Sequence, residues 1–458
     1  MISNKDTMET ADLYQCYLDC GERYTTDSRD CPAGSIFFAL KGESFNGNRF
    51  AAASLEKGCR YAVIDDPEAL PEDLRGIEPA GRMTLVADRY ILVPDVLTAF
   101  KQLARHHRRR FSIPVIGITG TNGKTTTKEL IAAVLQERYN VMYTQGNFNN
   151  DVGVPKTLLS LRQGHEIAVV EMGASHPGDI RRLVEYAEPT CGLITNVGRA
   201  HLQGFGSFEG VKQTKAELYD FLADHHALLF LNEDNSDLME MASARNFGRI
   251  ISYGQTDGTT VEGHVTACDP FLRFEWMQHL TPQASPIMQD TRLIGAYNID
   301  NMLAAIAVGL HFGIAPAQIR HALAHYTPSN NRSQLEITAK NKLVVDAYNA
   351  NATSMAAAID NFARIQTGQP KMAILGDMRE LGDASAEEHQ RVISELEDAG
   401  LDKVWLVGEE FMKTDTRYRR FPDVEAVETA LREEQPEGYY ILIKGSNGIR
   451  LHQLPALL

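Results

Sequence analysis

GITGTNGKTTTK, residues 117–128, decides how the chain is read. Val115, Ile116 and Ile118 mark the end of a buried strand, and Leu130, Ile131, Val134 and Leu135 follow at helical spacing. Strand, glycine-rich loop and helix in that order make a cradle for an anion. Gly120 and Gly123 permit a tight turn, so that successive amides and the helix N-terminus face one phosphate chain, and Lys124 adds a full charge. Thr125 follows the lysine, where a hydroxyl can hold Mg²⁺. The spacing departs from G-x-x-x-x-G-K-[ST], because Ile118 stands five before Gly123 and the glycine falls at Gly117.

Outward from that loop, 458 residues are too many for one ordinary core, and about 150 residues per domain suggests three. An apolar content of 43% and a charged content of 23% are those of a globular protein. A net charge of −15 argues against a nucleic-acid surface. The one basic run, RHHRRR at 105–110, reads as a solvated helix end. The first residues have no apolar signal region and no stretch approaches eighteen apolar residues, so the expectation is a cytoplasmic protein without membrane insertion. Six scattered cysteines without a C-x-x-C pair read as buried or idle thiols.

Apolar runs alternate with helical patterns along most of the chain. Residues 1–105 read as a small α/β domain with strands SIFFALKG (35–42) and RYAVID (60–65), a proline- and glycine-containing loop at 67–81, and a helix over 94–110 that leads onward. Residues 106–327 carry PVIGI, EIAVVEM, CGLITNV and HALLFLN, each separated from the next by helix-like sequence, then short antiparallel strands between 250 and 293, and helices at 299–311 and 316–325. This is a P-loop-type, mostly parallel sheet covered on both faces. After the polar linker TPSNNRSQ (327–334), residues 328–458 begin a second series, KLVVDAY, KMAILGDM, KVWLVG and YYILIKG, which reads as a doubly wound, Rossmann-like sheet. Ligands of such sheets lie beyond the carboxyl ends of the strands. That rule singles out Glu171, Asn196 and His201 in the middle domain and Asp346, Asn349, Asp377 and Lys444 in the last. Glu171 stands like the second-strand carboxylate that supports a phosphate-bound metal.

GITGTNGKTTT (117–127), EMGAS (171–175), ITNVGRAHL (194–202), KAELY (215–219), GAYNIDNMLAA (295–305), NNRSQ (330–334), DAYNANATSM (346–355), GDMRELG (376–382) and KGSNG (444–448) occur in the order and spacing of the Mur ligases, and the chain resembles that family over essentially its whole length. DAYNAN, together with DSRDCPAGSIFFALKGESFNGNRF (27–50), is most similar to the branch that adds D-alanyl-D-alanine, and no DNPR-like segment of the diaminopimelate-adding branch is present. The resemblance implies a monomeric, ATP- and Mg²⁺-dependent amide ligase whose substrates are UDP-N-acetylmuramoyl-tripeptide and D-alanyl-D-alanine and which works through an acyl phosphate. The competing readings are a tripeptide synthetase, a folylpolyglutamate synthetase-like enzyme and a catalytically silent nucleotide-binding protein. The long N-terminal domain disfavours the second, and joint retention of Lys124, Thr125, Glu171, His201 and Lys215 disfavours the third.

The resemblance also assigns residues. Gly120, Thr121, Asn122, Gly123, Lys124, Thr125 and Thr126 would hold ATP phosphates, with Arg332 reaching them, Asp346 near the ribose, and Asn298 and Asn301 near the adenine, although one of these asparagines could equally be a helix cap. Thr125, Glu171 and His201 would hold the metal. Lys215 matches the family's carbamylated lysine, with Lys212 one turn earlier as competitor. An ammonium about 4 Å from Mg²⁺ would be repelled by roughly 8 kcal/mol at an effective dielectric near 20, whereas a carbamate reverses the sign. Ser28, Arg29 and Lys41 would meet the UDP end of the donor, a surface ion pair being as good a reading of Arg29. Asn147 and Asn150 in QGNFNNDVG, and Asn349 and Asn351 after the first strand of the last domain, would meet substrate, unless the former are only a turn cluster. Ala352 and Asn447 depart from the family pattern, which commonly has proline and arginine there.

Overall fold

The computed structural model describes residues 6–42, 44–75, 82–280, 284–328 and 332–458. Residues 76–81 of the early loop and 329–331 of the polar linker lie outside the described residues. By its internal contacts the chain forms two compact units, one from the described parts of Met1–Ile113, Phe148–Gln163 and Glu185–Ala187, the other from Pro114–Asn147, Gly164–Val184 and Glu188–Leu458. Among the described residues no helix is long and apolar enough to cross a membrane.

The first unit is built on a six-stranded sheet. Tyr24–Thr25, Ile36–Phe38, Tyr61–Ile64 and Tyr90–Leu92 run parallel, and Met83–Val86 and Asp6–Met8 close one edge antiparallel. The helix Val96–Arg108 starts at Asp95, whose carboxylate accepts the Thr98 amide at 2.6 Å, as an N-cap should. Its far end is only in part the solvated basic tip expected from RHHRRR: Arg109 and Arg110 are exposed. His107 and Arg108 are buried. Arg108 donates to the carbonyls of Ala187 and Phe111 at 3.1 and 2.8 Å, and His107 lies 3.1 Å from the Tyr14 hydroxyl and 3.0 Å from the Leu161 carbonyl. A basic run is read as surface because buried charge is costly; here carbonyl acceptors returning from distant sequence offset the desolvation.

The second unit contains two sheets. The larger has nine strands in the order Ile287–Ile294, Phe271–Gln278, Val261–Cys268, Arg249–Gly254, Leu228–Asn232, Cys191–Ile194, Val115–Thr119, Ile167–Glu171 and Val141–Tyr143. Pairings from Val141–Tyr143 through Val261–Cys268 are parallel, and the last two strands are antiparallel. The strand before the glycine loop lies between those ending at Glu171 and Ile194, with Ile118 opposite Glu171 and Thr119 opposite Ile194. Register alone therefore brings both neighbouring strand ends to the loop. Helices Lys124–Gln136 and Ile299–His311 cover one face, burying Leu130, Ile131, Val134, Met302, Leu303 and Ile306.

The other sheet has six strands in the order Gln334–Ile337, Lys342–Asp346, Tyr440–Lys444, Lys371–Gly376, Lys403–Val407 and Arg419–Phe421, all parallel except the first. Separate apolar clusters pack on its two faces, which is the doubly wound arrangement expected. All six cysteines are free thiols.

Candidate active site

Gly120 and Gly123 adopt φ of +146° and +77°, and the helix Lys124–Gln136 begins at once after the second. A Cβ on Gly120 would lie 2.0 Å from the Thr195 hydroxyl, and one on Gly123 would lie 2.6 Å from Asn301 Oδ1, so neither position accepts a side chain. The loop is pinned from the neighbouring strand end. Asn196 accepts the Thr121 amide through its carbonyl (3.0 Å) and the Asn122 amide through its side chain (2.9 Å), while Thr195 donates to the Asn122 carbonyl at 2.6 Å. The first helical bond runs from the Thr127 amide to the Gly123 carbonyl, which leaves the amides just before it outside the helical ladder and directed at an anion. Lys124 folds back, donating to the carbonyls of Gly120 and Thr121 at 2.8 and 3.0 Å, and burial pushes its ammonium down to about 8.

Glu171 is buried at the end of its strand. The Thr125 hydroxyl donates to one of its oxygens at 3.2 Å, and the Lys128 ammonium stands 3.7 Å from the other. A hydroxyl and a carboxylate converging in a buried corner beside the phosphate cradle suit a hard divalent cation such as Mg²⁺. Lys128 was not singled out from sequence. It lies one helical turn after Lys124, and its only signal is a lysine among buried helix positions.

His201, at φ +52°, heads the short helix Leu202–Phe205, and its Nδ1 meets the carboxylate of Glu380. That contact, chiefly through the imidazole hydrogen bond, lowers the Glu380 carboxyl. With Nδ1 engaged, Nε2 is the nitrogen left for a ligand, an arrangement common where a carboxylate orients a metal-binding imidazole. Lys215 is buried in the helix Phe208–Asp224; burial, and next the Lys124 charge, push its pKa well below the ordinary lysine value. Lys212 instead pairs with Asp237 and Glu240 at 3.0 and 2.6 Å, which raises its pKa and keeps it an ordinary ammonium. The two lysines the sequence could not separate thus have opposite environments.

The asparagines are drawn into the frame. Thr127 donates to Asn301 Oδ1 at 2.9 Å, Asn301 donates to Asn298 Oδ1 at 2.9 Å, and Asn298 donates to the Ile294 carbonyl at 2.8 Å. Asn351 caps the helix Ala352–Arg364 and donates to Asn122 Oδ1 at 2.8 Å. Asn349 accepts the Ala350 amide at 2.9 Å. Asn150 accepts the amides of Val152 and Gly153 at 3.2 and 2.8 Å, which is a turn role, and Asn147 is exposed. Asp346 is engaged by buried Lys444 at 2.5 Å. Arg332 lies over the Tyr348 ring, 4.0 Å from its centroid. A cavity of about 410 Å³ opens among Thr125, Lys128, Tyr143, Tyr326, Arg332 and Tyr348. In the first unit, Arg29 is exposed and bonded to Asp27 at 2.7 Å, Lys41 pairs with Asp65 at 2.9 Å, and the Ser28 carbonyl accepts Lys57 at 2.7 Å.

A strand–glycine loop–helix cradle with a buried lysine, hydroxyl and carboxylate at the carboxyl end of a parallel sheet defines a nucleotide-binding enzyme of the P-loop type. Three family models match in turn: Mur ligase family, catalytic domain, over residues 23–108; Mur ligase middle domain over 118–309; and Mur ligase, glutamate ligase domain, over 331–447. The chain belongs to the Mur ligase family. It is 36% identical to the UDP-N-acetylmuramoyl-tripeptide--D-alanyl-D-alanine ligase of Synechocystis, covering 93% of this chain and 89% of that protein. Its fold matches a crystal structure of MurF from Acinetobacter baumannii with a TM-score of 0.81 at 28% identity, covering 99% of both chains. MurF ligase from Thermotoga maritima in complex with ADP matches at 0.80 and 26%, covering 95% of this chain and 96% of that one.

Proposed function

We propose that this chain joins D-alanyl-D-alanine to UDP-N-acetylmuramoyl-tripeptide at the expense of ATP, as an ADP-forming peptide ligase of peptidoglycan precursor synthesis. The observation that carries the reading is the group of half-buried Lys124 and buried Thr125, Glu171 and Lys215 around the glycine loop, in a chain similar over 93% of its length to a ligase of that name.

A carboxylate oxygen of the tripeptide attacks the γ-phosphorus of ATP, and ADP leaves. The amine of the dipeptide then attacks the acyl carbon of the resulting acyl phosphate, the C–O bond to phosphate breaks, and the amine gives up a proton as the amide forms. The loop amides from Gly120 to Thr126 would hold the phosphates. Lys124, released from its own loop carbonyls, would follow the transferring phosphoryl group, and Arg332 would approach from the other side. Mg²⁺, when bound, would screen the phosphate oxygens, with Thr125, Glu171 and His201 Nε2 as its protein donors. Carbamylation requires a neutral amine, and the burial that depresses Lys215 favours that form over the ammonium. Most of the acceleration is then positioning and preorganised charge.

Asn298 and Asn301 would frame the adenine end, with Asp346 toward the ribose. Asn349 and Asn351 would meet the nucleotide or the dipeptide, and Asn147 and Asn150 would lie beside the phosphates and the acceptor. Ser28, Arg29 and Lys41 would receive the UDP end. Substrates built on UDP and ATP put the reaction in the cytoplasm, and the chain is taken to act as a monomer. The deciding measurement is phosphate release from ATP with UDP-N-acetylmuramoyl-tripeptide, with and without D-alanyl-D-alanine. Release that depends on the dipeptide supports the reading. Release with a free diamino acid and the dipeptide-bearing precursor would overturn it in favour of a tripeptide synthetase.

A further inference from the structure

The ribbon Val261–Cys268 and Phe271–Gln278 carries on its outer face a group of donors that the ligation chemistry does not use. Glu262 and His264 are two apart on one strand and share a face. His279 follows the partner strand and pairs with Thr260, its amide donating to the Thr260 carbonyl at 2.9 Å, which brings it to the same face beside Glu262. His264 Nε2 lies 3.0 Å from Glu262 Oε1, and His279 Nε2 lies 3.0 Å from Glu262 Oε2. The turn that precedes the ribbon brings Asp257 Oδ1 to 3.9 Å from His264 Nε2.

This group is held in place from several directions. The Gly258 amide donates to Glu262 Oε2 at 3.1 Å. Asp234 anchors the turn itself, accepting the amides of Gln255 and Thr256 at 2.6 and 2.9 Å and the Thr256 hydroxyl at 2.7 Å. Glu262 is only 15% exposed at its side chain, so its two oxygens are held by the ribbon rather than left to wander in solvent. The donor atoms of Asp257, Glu262 and His264 all lie within 4.8 Å of one another. Tetrahedral ligands at bond lengths of about 2.0–2.1 Å stand about 3.3 Å apart, so separations of this size close onto one ion by small side-chain rotations.

We propose that Asp257, Glu262 and His264 form a binding site for a divalent transition metal of the Zn²⁺ class, with His279 and the Gly258 amide positioning Glu262 through its second oxygen. An imidazole nitrogen with two carboxylates is a borderline donor set that favours Zn²⁺ over Mg²⁺. The positioning role of His279 is that of the outer partners which orient ligating carboxylates. The site is separate in its residues from the phosphate loop, so its metal is not the one that accompanies ATP.

The test uses the full-length protein, freed of metal by a chelator and then kept in excess Mg²⁺ so that Zn²⁺ does not enter the nucleotide site. ZnCl₂ is titrated against a chromophoric chelator. One equivalent should bind at micromolar concentrations. His264→Ala and Asp257→Asn should each weaken it by about tenfold or more, and His279→Gln by about tenfold. The equivalent should survive Glu171→Gln, and the His264 and Asp257 variants should retain dipeptide-dependent phosphate release, which also reports that they fold. Absence of saturable Zn²⁺ binding at micromolar concentrations, or an equivalent left unchanged by His264→Ala, would overturn the site.

Discussion

The pair Lys128–Glu171 offers the sharpest test of how the middle domain is held together. Both side chains are 1% exposed and their charged atoms stand 3.7 Å apart. At an effective dielectric near 20, charges at that distance attract by about 4.5 kcal/mol. Removing one partner of a buried pair costs about 3–5 kcal/mol, because the other charge is left desolvated. Glu171→Gln and Lys128→Met should each destabilise the domain by that order, and the double variant should be little worse than either. The resulting coupling should be about 3–4 kcal/mol, below the Coulomb figure because Thr125 continues to serve Glu171 and Glu129, at 3.9 Å, continues to serve Lys128. The chain has two tryptophans, Trp276 in the core of the larger sheet and Trp405 in that of the smaller. Urea unfolding followed by Trp276 fluorescence in a Trp405→Phe background therefore reads the domain in question without assuming that the whole chain unfolds in one step. A coupling within about 0.5 kcal/mol of zero would show that the two charges do not sense each other through a dry interior, and the reasoning would fail.

Other outcomes follow from the same geometry. Burial, and next the charge of Asp234, raise the Asp300 carboxyl to about 6. A folded-state pKa above the unfolded value of about 3.9 stabilises the fold at low pH, and that contribution is lost as pH rises from about 4 through 6; Asp300→Asn should therefore be more stable than the parent at pH 8 by up to about 3 kcal/mol, with the difference gone by pH 4 in thermal melts. Gly120→Ala puts a Cβ 2.0 Å from Thr195 Oγ1 at a φ of +146°, and nucleotide affinity measured calorimetrically should fall by about tenfold or more. Lys215→Ala should abolish dipeptide-dependent phosphate release and recover part of it with a small added carboxylate; full activity without rescue would refute the carbamate. Glu380→Gln removes the carboxylate against His201, and the Mg²⁺ concentration for half-maximal activity should rise by about 10- to 100-fold while the KM for the dipeptide stays put.

Short-range pattern was enough for much of this protein. The strand–loop–helix around Lys124, the placement of Glu171 at a strand end, and the helices Ile299–His311 and Pro316–His325 follow from apolar periodicity and glycine placement, which act over one or two turns of chain. The parallel sheets follow too, since apolar runs separated by helices leave few other solutions. What only the tertiary structure decided is which polar group meets which across long separations. Lys215 and Lys212 look alike in sequence, but the fold buries one beside Lys124 and hands the other to Asp237 and Glu240. Arg108 is as basic as its neighbours, yet its burial is met by the carbonyl of Ala187, 79 residues further on. Asn122 meets Asn351, and His201 meets Glu380, across more than 170 residues. The phosphate loop is written into its own twelve residues. The charge environment that lets it work is set by desolvation and by partners brought from elsewhere in the chain, and neither leaves a local mark in the sequence.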